Sequence, residues 1–190
     1  MSDVPEPEAL TRFLNQLGNG ASDDPTRLMS ILYAELRAIA EGCLRGERPG
    51  HTLQATALVH EAYVKLFDPR QVEWKGRKHF YVVAAKVMRR LLVDQARRRK
   101  RRGRDRNPPT LDLAIAAASG IPVDLIDLDA ALDELAALDE RQSRVVELKY
   151  FGGLEVADVA RVLDASVTTV ERDWRSARAW LASRLGGDPD

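Results

Sequence analysis

From Leu154 to Leu181 the chain reads LEVADVARVLDASVTTVERDWRSARAWL, and its apolar residues return at three- and four-residue steps. Val156, Val159, Ala160 and Leu163 fall on one face of a short helix. Asp164-Ala165 interrupts that row, and Ser166 supplies the hydroxyl that caps the start of a second helix. There Val167, Val170, Trp174, Ala177 and Leu181 form the apolar stripe, with Thr168, Thr169, Glu171, Arg172, Arg175 and Arg178 on the opposite face. Two helices on a tight turn, the second with an Arg- and Thr-bearing outer face, is the helix-turn-helix pattern of duplex readers. An ordinary helical hairpin with a solvated charged face has the same periodicity.

The rest of the chain repeats the helical period without a strand signal, which predicts an all-α fold. A short helix over Glu8–Leu17 gives way to the loop GNGASDDP. A helix from Thr26 to Leu44 buries Leu28, Ile31, Leu32, Leu36, Ile39 and Cys43. The next, Gln54 to Phe67, turns Leu58, Ala62, Tyr63, Leu66 and Phe67 inward. After a loop from Asp68 to Gly76, a long helix over Arg77–Arg102 buries Phe80, Val83, Ala84, Val87, Leu91 and Ala96. Its end, RRRKRRGRDR, has no apolar face. Residues 107–127 hold Pro108, Pro109, Gly120 and Pro122 and read as a flexible linker. Amphipathic helices over Leu128–Leu138 and Glu140–Phe151 follow, the latter closed by Gly152-Gly153. The pattern therefore gives two small helical domains, 8–106 and 128–185, on one connector.

Charge sharpens this picture. The chain has 29 basic and 29 acidic residues, so its net charge says nothing about partners, but the signs are segregated. Lys86–Arg106 holds eleven Lys or Arg against two acids, and Asn107–Ala160 holds eleven acids against three basic residues. A basic block that cannot pack is either a solvated helix end, favoured by the helix dipole, or a polyanion contact whose strength falls with salt. A lone Cys43 makes neither a disulfide framework nor a zinc site. His51, His60 and His79 match no compact metal-ligand spacing, and no phosphate loop, nucleophile elbow or paired-carboxylate site is present. These observations predict no metal, no cofactor and no catalysis. No apolar run reaches a membrane span, and the acidic start MSDVPEPEAL lacks a signal-peptide core, so a cytoplasmic, nucleoid-associated protein is expected.

The stretch ALDERQSRVVELKYFGGLEVADVARVLDASVTTVERDWRSARAWL resembles region 4 of the sigma-70-type RNA polymerase sigma factors. In their extracytoplasmic-function group a leucine-proline-x-x-x-arginine motif leads through a YFxGL step into a helix-turn-helix. LVHEAYVKLF and the basic helix after it are similar to region 2 of the same group. The resemblance runs from about Leu10 to Leu185, with both regions in order and no third domain between them. It implies a transcription initiation factor, not an enzyme, that binds core RNA polymerase at the β′ clamp and β flap. Its DNA partner would be promoter DNA, first double-stranded and then melted.

Residue roles carry over by the same resemblance. Ser166, Thr168, Thr169, Arg172 and Arg175 stand where the recognition helix enters the major groove of the upstream element, and Arg178 where it holds backbone. The loop Asp68–Gly76 matches the segment that receives a flipped base of the downstream element, and Trp74 there is either a stacking platform or an apolar cap of the next helix. Lys75, Arg77, Lys78, Lys86, Arg89, Arg90 and Arg97 are implied to hold the non-template strand or duplex phosphates. Leu58, Val59, Glu61 and Lys65 are the implied polymerase contacts.

Departures from the family pattern carry as much information. The group usually has the order acid-Ala-acid-acid before the Leu-Val of region 2.2, facing basic groups of the polymerase clamp. Here those positions are Gln54, Ala55, Thr56 and Ala57. Either the remaining contacts carry polymerase binding, or a phosphate on Thr56 restores roughly −1.5 to −2 of charge. The second alternative resembles the subgroup paired with Ser/Thr protein kinases, which HTLQATALVHEAY and ERDWRSARAWL also fit; Thr52 is the competing acceptor. Glu171 stands where Lys is common and Asp164 where Gly is common, so the promoter sequence does not transfer from relatives. An anti-sigma or inhibitor protein is a further partner such factors meet, and no residue here identifies one. Two rival classes remain: a conventional helix-turn-helix regulator acting without polymerase, and a helical adaptor whose basic faces are merely solvated.

Overall fold

The computed structural model describes residues 25–43, 52–66, 75–101 and 124–186, and every regular element among them is a helix. In chain order these are α1 (Pro25–Cys43), α2 (Thr52–Leu66), α3 (Arg77–Arg101), α4 (Leu125–Leu138), α5 (Glu140–Tyr150), α6 (Val156–Leu163) and α7 (Val167–Leu185). The all-α expectation therefore holds among the described residues. The segment Glu8–Leu17 and most of the 107–127 connector lie outside them. None of the described helices is long and apolar enough to cross a membrane.

Helices α1 and α2 pack on each other and on α3. The apolar rows read from the sequence supply that core: Leu32, Leu36 and Ile39 of α1, Leu58, Ala62 and Leu66 of α2, and Phe80, Ala84 and Leu91 of α3 are buried. A polar chain ties α3 to α1, in which Arg77 Nη2 donates to the Tyr81 hydroxyl (3.1 Å) and that hydroxyl donates to Glu35 Oε2 (3.0 Å). Burial raises the pKa of Glu35, against the hydrogen bond from Tyr81 and the field of Arg77, both of which lower it.

Helices α4 to α7 form a second group, pinned by caps. Asp124 accepts from the backbone N–H of Ile126 (2.8 Å), so α4 begins at Leu125. This corrects the connector, whose last three residues, Leu125–Asp127, are helical, and Leu125 is buried. Asp139 both ends α4 and caps α5, accepting from Gln142 N (3.0 Å), and Ser143 Oγ donates across the hairpin to the Leu132 carbonyl (3.1 Å). At the close of α5 a Cβ on Gly152 would lie 2.5 Å from the Leu148 carbonyl oxygen, which leaves room only for glycine. The helix-turn-helix break is held by Asp164 in the left-handed region (φ 52°), a conformation Asp tolerates better than most residues.

The two groups meet. Helix α3 packs not only on α1 and α2 but on α4, α5 and α6. Besides the predicted inward row, Ala85, Leu92 and Val93 are buried, and so is the charged Arg89. Only the wedge carrying Lys86 and Arg90 stays open to solvent on this part of the helix.

Candidate nucleic-acid interface

The recognition helix α7 has two faces of different character. Val170, Ala177 and Leu181 are fully buried and Trp174 is half-buried, while Val167 is exposed, correcting its place in the apolar stripe: as the first helical residue it lies beyond the core. Ser166 accepts from Thr169 N (3.1 Å), and the two hydroxyls are 2.8 Å apart. Those two predicted DNA contacts are thus engaged in capping the helix, and Thr169 is half-buried. Thr168, Glu171, Arg172 and Arg175 are exposed side by side, which leaves Thr168, Arg172 and Arg175 as the polar outer face. Arg178 differs: it is half-buried, with its guanidinium 5.9 Å from the centre of the Trp174 ring, and Lys149 lies 5.4 Å from the same ring.

Sequence reasoning missed what orients this helix. Asp173, between Arg172 and Trp174, is 2 % exposed. Arg141 of α5 forks onto it, with Nε at 2.6 Å and Nη2 at 3.3 Å, and Arg172 Nη2 stands 3.6 Å away. A carboxylate removed from water needs such partners. The available signal was an acid at a position that shares the buried side with Val170 and Ala177 at helical spacing. At the far end, Arg184 forks onto Glu134 of α4 at 2.7 and 2.8 Å, a charge-assisted pair that lowers the pKa of Glu134.

The basic helix α3 divides its cations. Lys86 and Arg90 are exposed and line a cleft of about 500 Å³ against α4 and α5. Lys75 is also exposed, and Arg77 is half-buried, its guanidinium 5.3 Å from the centre of the Tyr81 ring. The other three are engaged by acids of the second helical group. Lys78 pairs with Asp164 in the helix-turn-helix break. Arg97 meets Asp129 at 3.2 Å. Arg89 is caged by Asp129 Oδ1 (2.8 Å), Asp133 Oδ1 (2.7 Å), Glu147 Oε1 (2.8 Å) and the Asp129 carbonyl (2.7 Å). Burial works against its charge, but the bonds from Glu147 and Asp133 and the field of Asp129 prevail, and its pKa is raised. Three expected phosphate contacts are therefore paired within the chain, and of these Arg89 is also buried. Trp74 lies outside the described residues.

On α2, Leu58 and Val59 are core residues, so of the expected polymerase contacts only Glu61 and Lys65 face outward. They share an exposed surface with Thr56, Ala57, His60 and Val64, and Val64 is 70 % exposed. The apolar Val64 was not singled out from the sequence because it sits next to the inward Tyr63 in an apolar run. Helix α2 begins at Thr52, two residues before the expected start, which places Thr56 a full turn inside the helix. The macrodipole has largely faded there, so a phosphate on Thr56 gains little from its own helix. The Thr52 side chain lies outside the described residues. Among the described residues no group of three or more His, Cys, Asp or Glu is placed to hold a metal ion.

The family model for the ECF sigma factor matches residues 7–187. No curated protein and no solved structure matches the chain.

Proposed function

Because the chain belongs to the ECF sigma factor family, we propose a division of labour between its two helical groups and a phosphorylation switch on the first. As a sigma factor it directs core RNA polymerase to promoters. In the proposed division, residues 8–106 bind the polymerase clamp and open the downstream element, and residues 128–185 read the upstream element as duplex. The exposed Thr168, Arg172 and Arg175 on α7 support this reading, since Arg forks onto guanine and Thr reaches bases or phosphates. The protein works in the cytoplasm, at the nucleoid.

The switch is carried by one observation: Thr56 is exposed on the outer surface of α2, at a position where the family resemblance implies an acid. Glu61 is the one carboxylate on that surface, beside Val64 and Lys65. A phosphate on Thr56 adds roughly −1.5 to −2 of charge, close to two carboxylates. Since the helix start lies at Thr52, this charge acts on the partner and not on α2 itself. A Ser/Thr protein kinase is the enzyme such a switch requires.

Core polymerase binding and promoter-specific run-off transcription test it, with unmodified protein, Thr56→Glu, Thr56→Ala and kinase-treated samples. Binding and transcription only after kinase treatment, and neither with Thr56→Ala, is the expected result. Full activity of both the unmodified protein and Thr56→Ala would remove the switch and leave a constitutively competent sigma factor.

A further inference from the structure

We infer that the acidic face of α4 and α5 competes with nucleic acid for the basic helix α3, so that the free chain is closed by an internal contact. The inference rests on the reading of α3 as a DNA-facing helix and goes beyond it by naming what occupies that helix in the absence of DNA. Three cations of one α3 face, Lys78, Arg89 and Arg97, are met by Asp164, Asp129, Asp133 and Glu147, all from the second helical group. Lys78 and Arg89 are 11 residues apart, close to three whole helical turns, and Arg97, eight residues further on, lies about 80° round from Arg89, so the three span one broad side of α3.

The contact has the chemistry of a phosphate backbone. Arg89 takes three carboxylate oxygens within 2.8 Å, as many as a strand of phosphates would offer it. It is 8 % exposed in this state and has no route to DNA while α4 and α5 stay docked. Apolar Ala85, Leu92 and Val93 are buried on α3 beside these pairs, and Asp133, Arg97 and both members of the Lys78–Asp164 pair are half or more exposed. Water and salt reach a seam of that kind, and exposed ion pairs are weak and screened. A phosphate polyanion, with its counterion release, therefore displaces the acids without unfolding either group.

Asp129→Asn, Asp133→Asn, Glu147→Gln and Asp164→Asn combined in the full chain test the contact; Asn tolerates the left-handed conformation at 164. Small-angle scattering without DNA reads the opening, and fluorescence anisotropy with a single-stranded oligonucleotide reads the competition. The expected result is a larger radius of gyration and about tenfold tighter binding. The slope of log affinity against log salt should steepen by about two, for three freed cations at roughly 0.7 each on single strands. A control chain with Asp127→Asn, Glu134→Gln and Glu155→Gln, similar in charge but off the seam, should stay compact. If the first chain does not fold, Lys78→Cys with Asp164→Cys in a Cys43→Ser background is joined by a cleavable bis-maleimide, and DNA binding should rise on cleavage. Unchanged size and affinity, opening without tighter binding, or a joined chain that binds as well as the cleaved one would overturn the proposal. A chain that opens and binds DNA but never engages polymerase, even after kinase treatment, supports this contact and removes the α2 switch instead.

Discussion

Raising the pH ionises Tyr81 and breaks the link between α3 and α1. The ring is 6 % exposed, packed edge-on against Phe80, and its hydroxyl stands between Arg77 and Glu35. Burial, then the negative charge of Glu35, pushes the phenol from 10.0 up to about 12, against the opposing pull of Arg77. A group whose native pKa lies above its unfolded value holds its proton more tightly when folded. Its contribution to stability is therefore whole below pH 10 and drains away as the pH climbs to 12. Two pH units correspond to about 3 kcal/mol, a sizeable share of the 5–15 kcal/mol that holds a typical domain together. Phenolate absorbance and helical circular dichroism followed together should show one ionisation near pH 12 that accompanies loss of helix and is missing in Tyr81→Phe. The same variant loses two hydrogen bonds, at about 1 kcal/mol each, and leaves the half-buried Glu35 without the donor that lowered its pKa. Since Glu35 is already raised by burial, its ionisation opposes folding. Tyr81→Phe should therefore lose stability more steeply than the parent as pH rises through the range where that carboxyl ionises. An ionisation assigned to Tyr81 near pH 10, with no change in helix, would mean that the ring is solvated and the α1–α3 link is not made.

Three further outcomes follow from single contacts. Arg141→Ala should lower the melting temperature by roughly 4 °C or more and Asp173→Asn by less, because only the first strands a buried carboxylate; equal shifts in a thermal melt would show that the pair is solvated. Gly152→Ala should cost about 2 kcal/mol in urea titration, since the Leu148 carbonyl at 2.5 Å is backbone and has no easy way to yield; a loss under about 0.5 kcal/mol would refute the close approach. Val64→Lys should leave the urea midpoint within error but weaken polymerase binding of the kinase-treated protein at least tenfold in a pull-down or anisotropy assay, and unaltered binding would clear this surface of the partner role.

What the sequence disclosed and what it hid divide along physical lines. The period of 3.6 residues placed α6 and α7 and the inward rows of α1 to α3, because one buried face per helix is what periodicity reports. It also picked out Ser166 as a cap and the Asp164 break, since caps and left-handed residues are local chemistry. The start of α4 was lost among Gly120, Pro122 and the small residues before them, although Asp124 is itself a good cap. Resemblance assigned Leu58 and Val59 to a partner, but motifs carry identity and not facing, and both are core. Asp173 was overlooked because a charge between Arg172 and Trp174 looks like part of a solvated face until its pairing with Arg141 is known.

The charge segregation is the deeper case. A basic stretch around α3 followed by an acidic one reads naturally as a nucleic-acid surface and an inert connector, two features with separate reasons. In the fold they are one feature, since Asp129, Asp133 and Glu147 come from the acidic stretch and close on Arg89 and Arg97 of the basic one. Sequence charge counts cannot distinguish an acid that repels DNA from an acid that imitates it, because the difference lies in which helix face it occupies. Here α3 buries Ala85, Leu92 and Val93 beyond the row it turns to α1 and α2, so the face left over is part apolar and part charged, and a partner that covers it must carry complementary charge for Arg89. An apolar partner would strand Arg89, which burial already disfavours as a charge. The acids are therefore placed where salt and competing phosphate weaken the charged part of the docking, beside buried apolar contacts that salt does not screen.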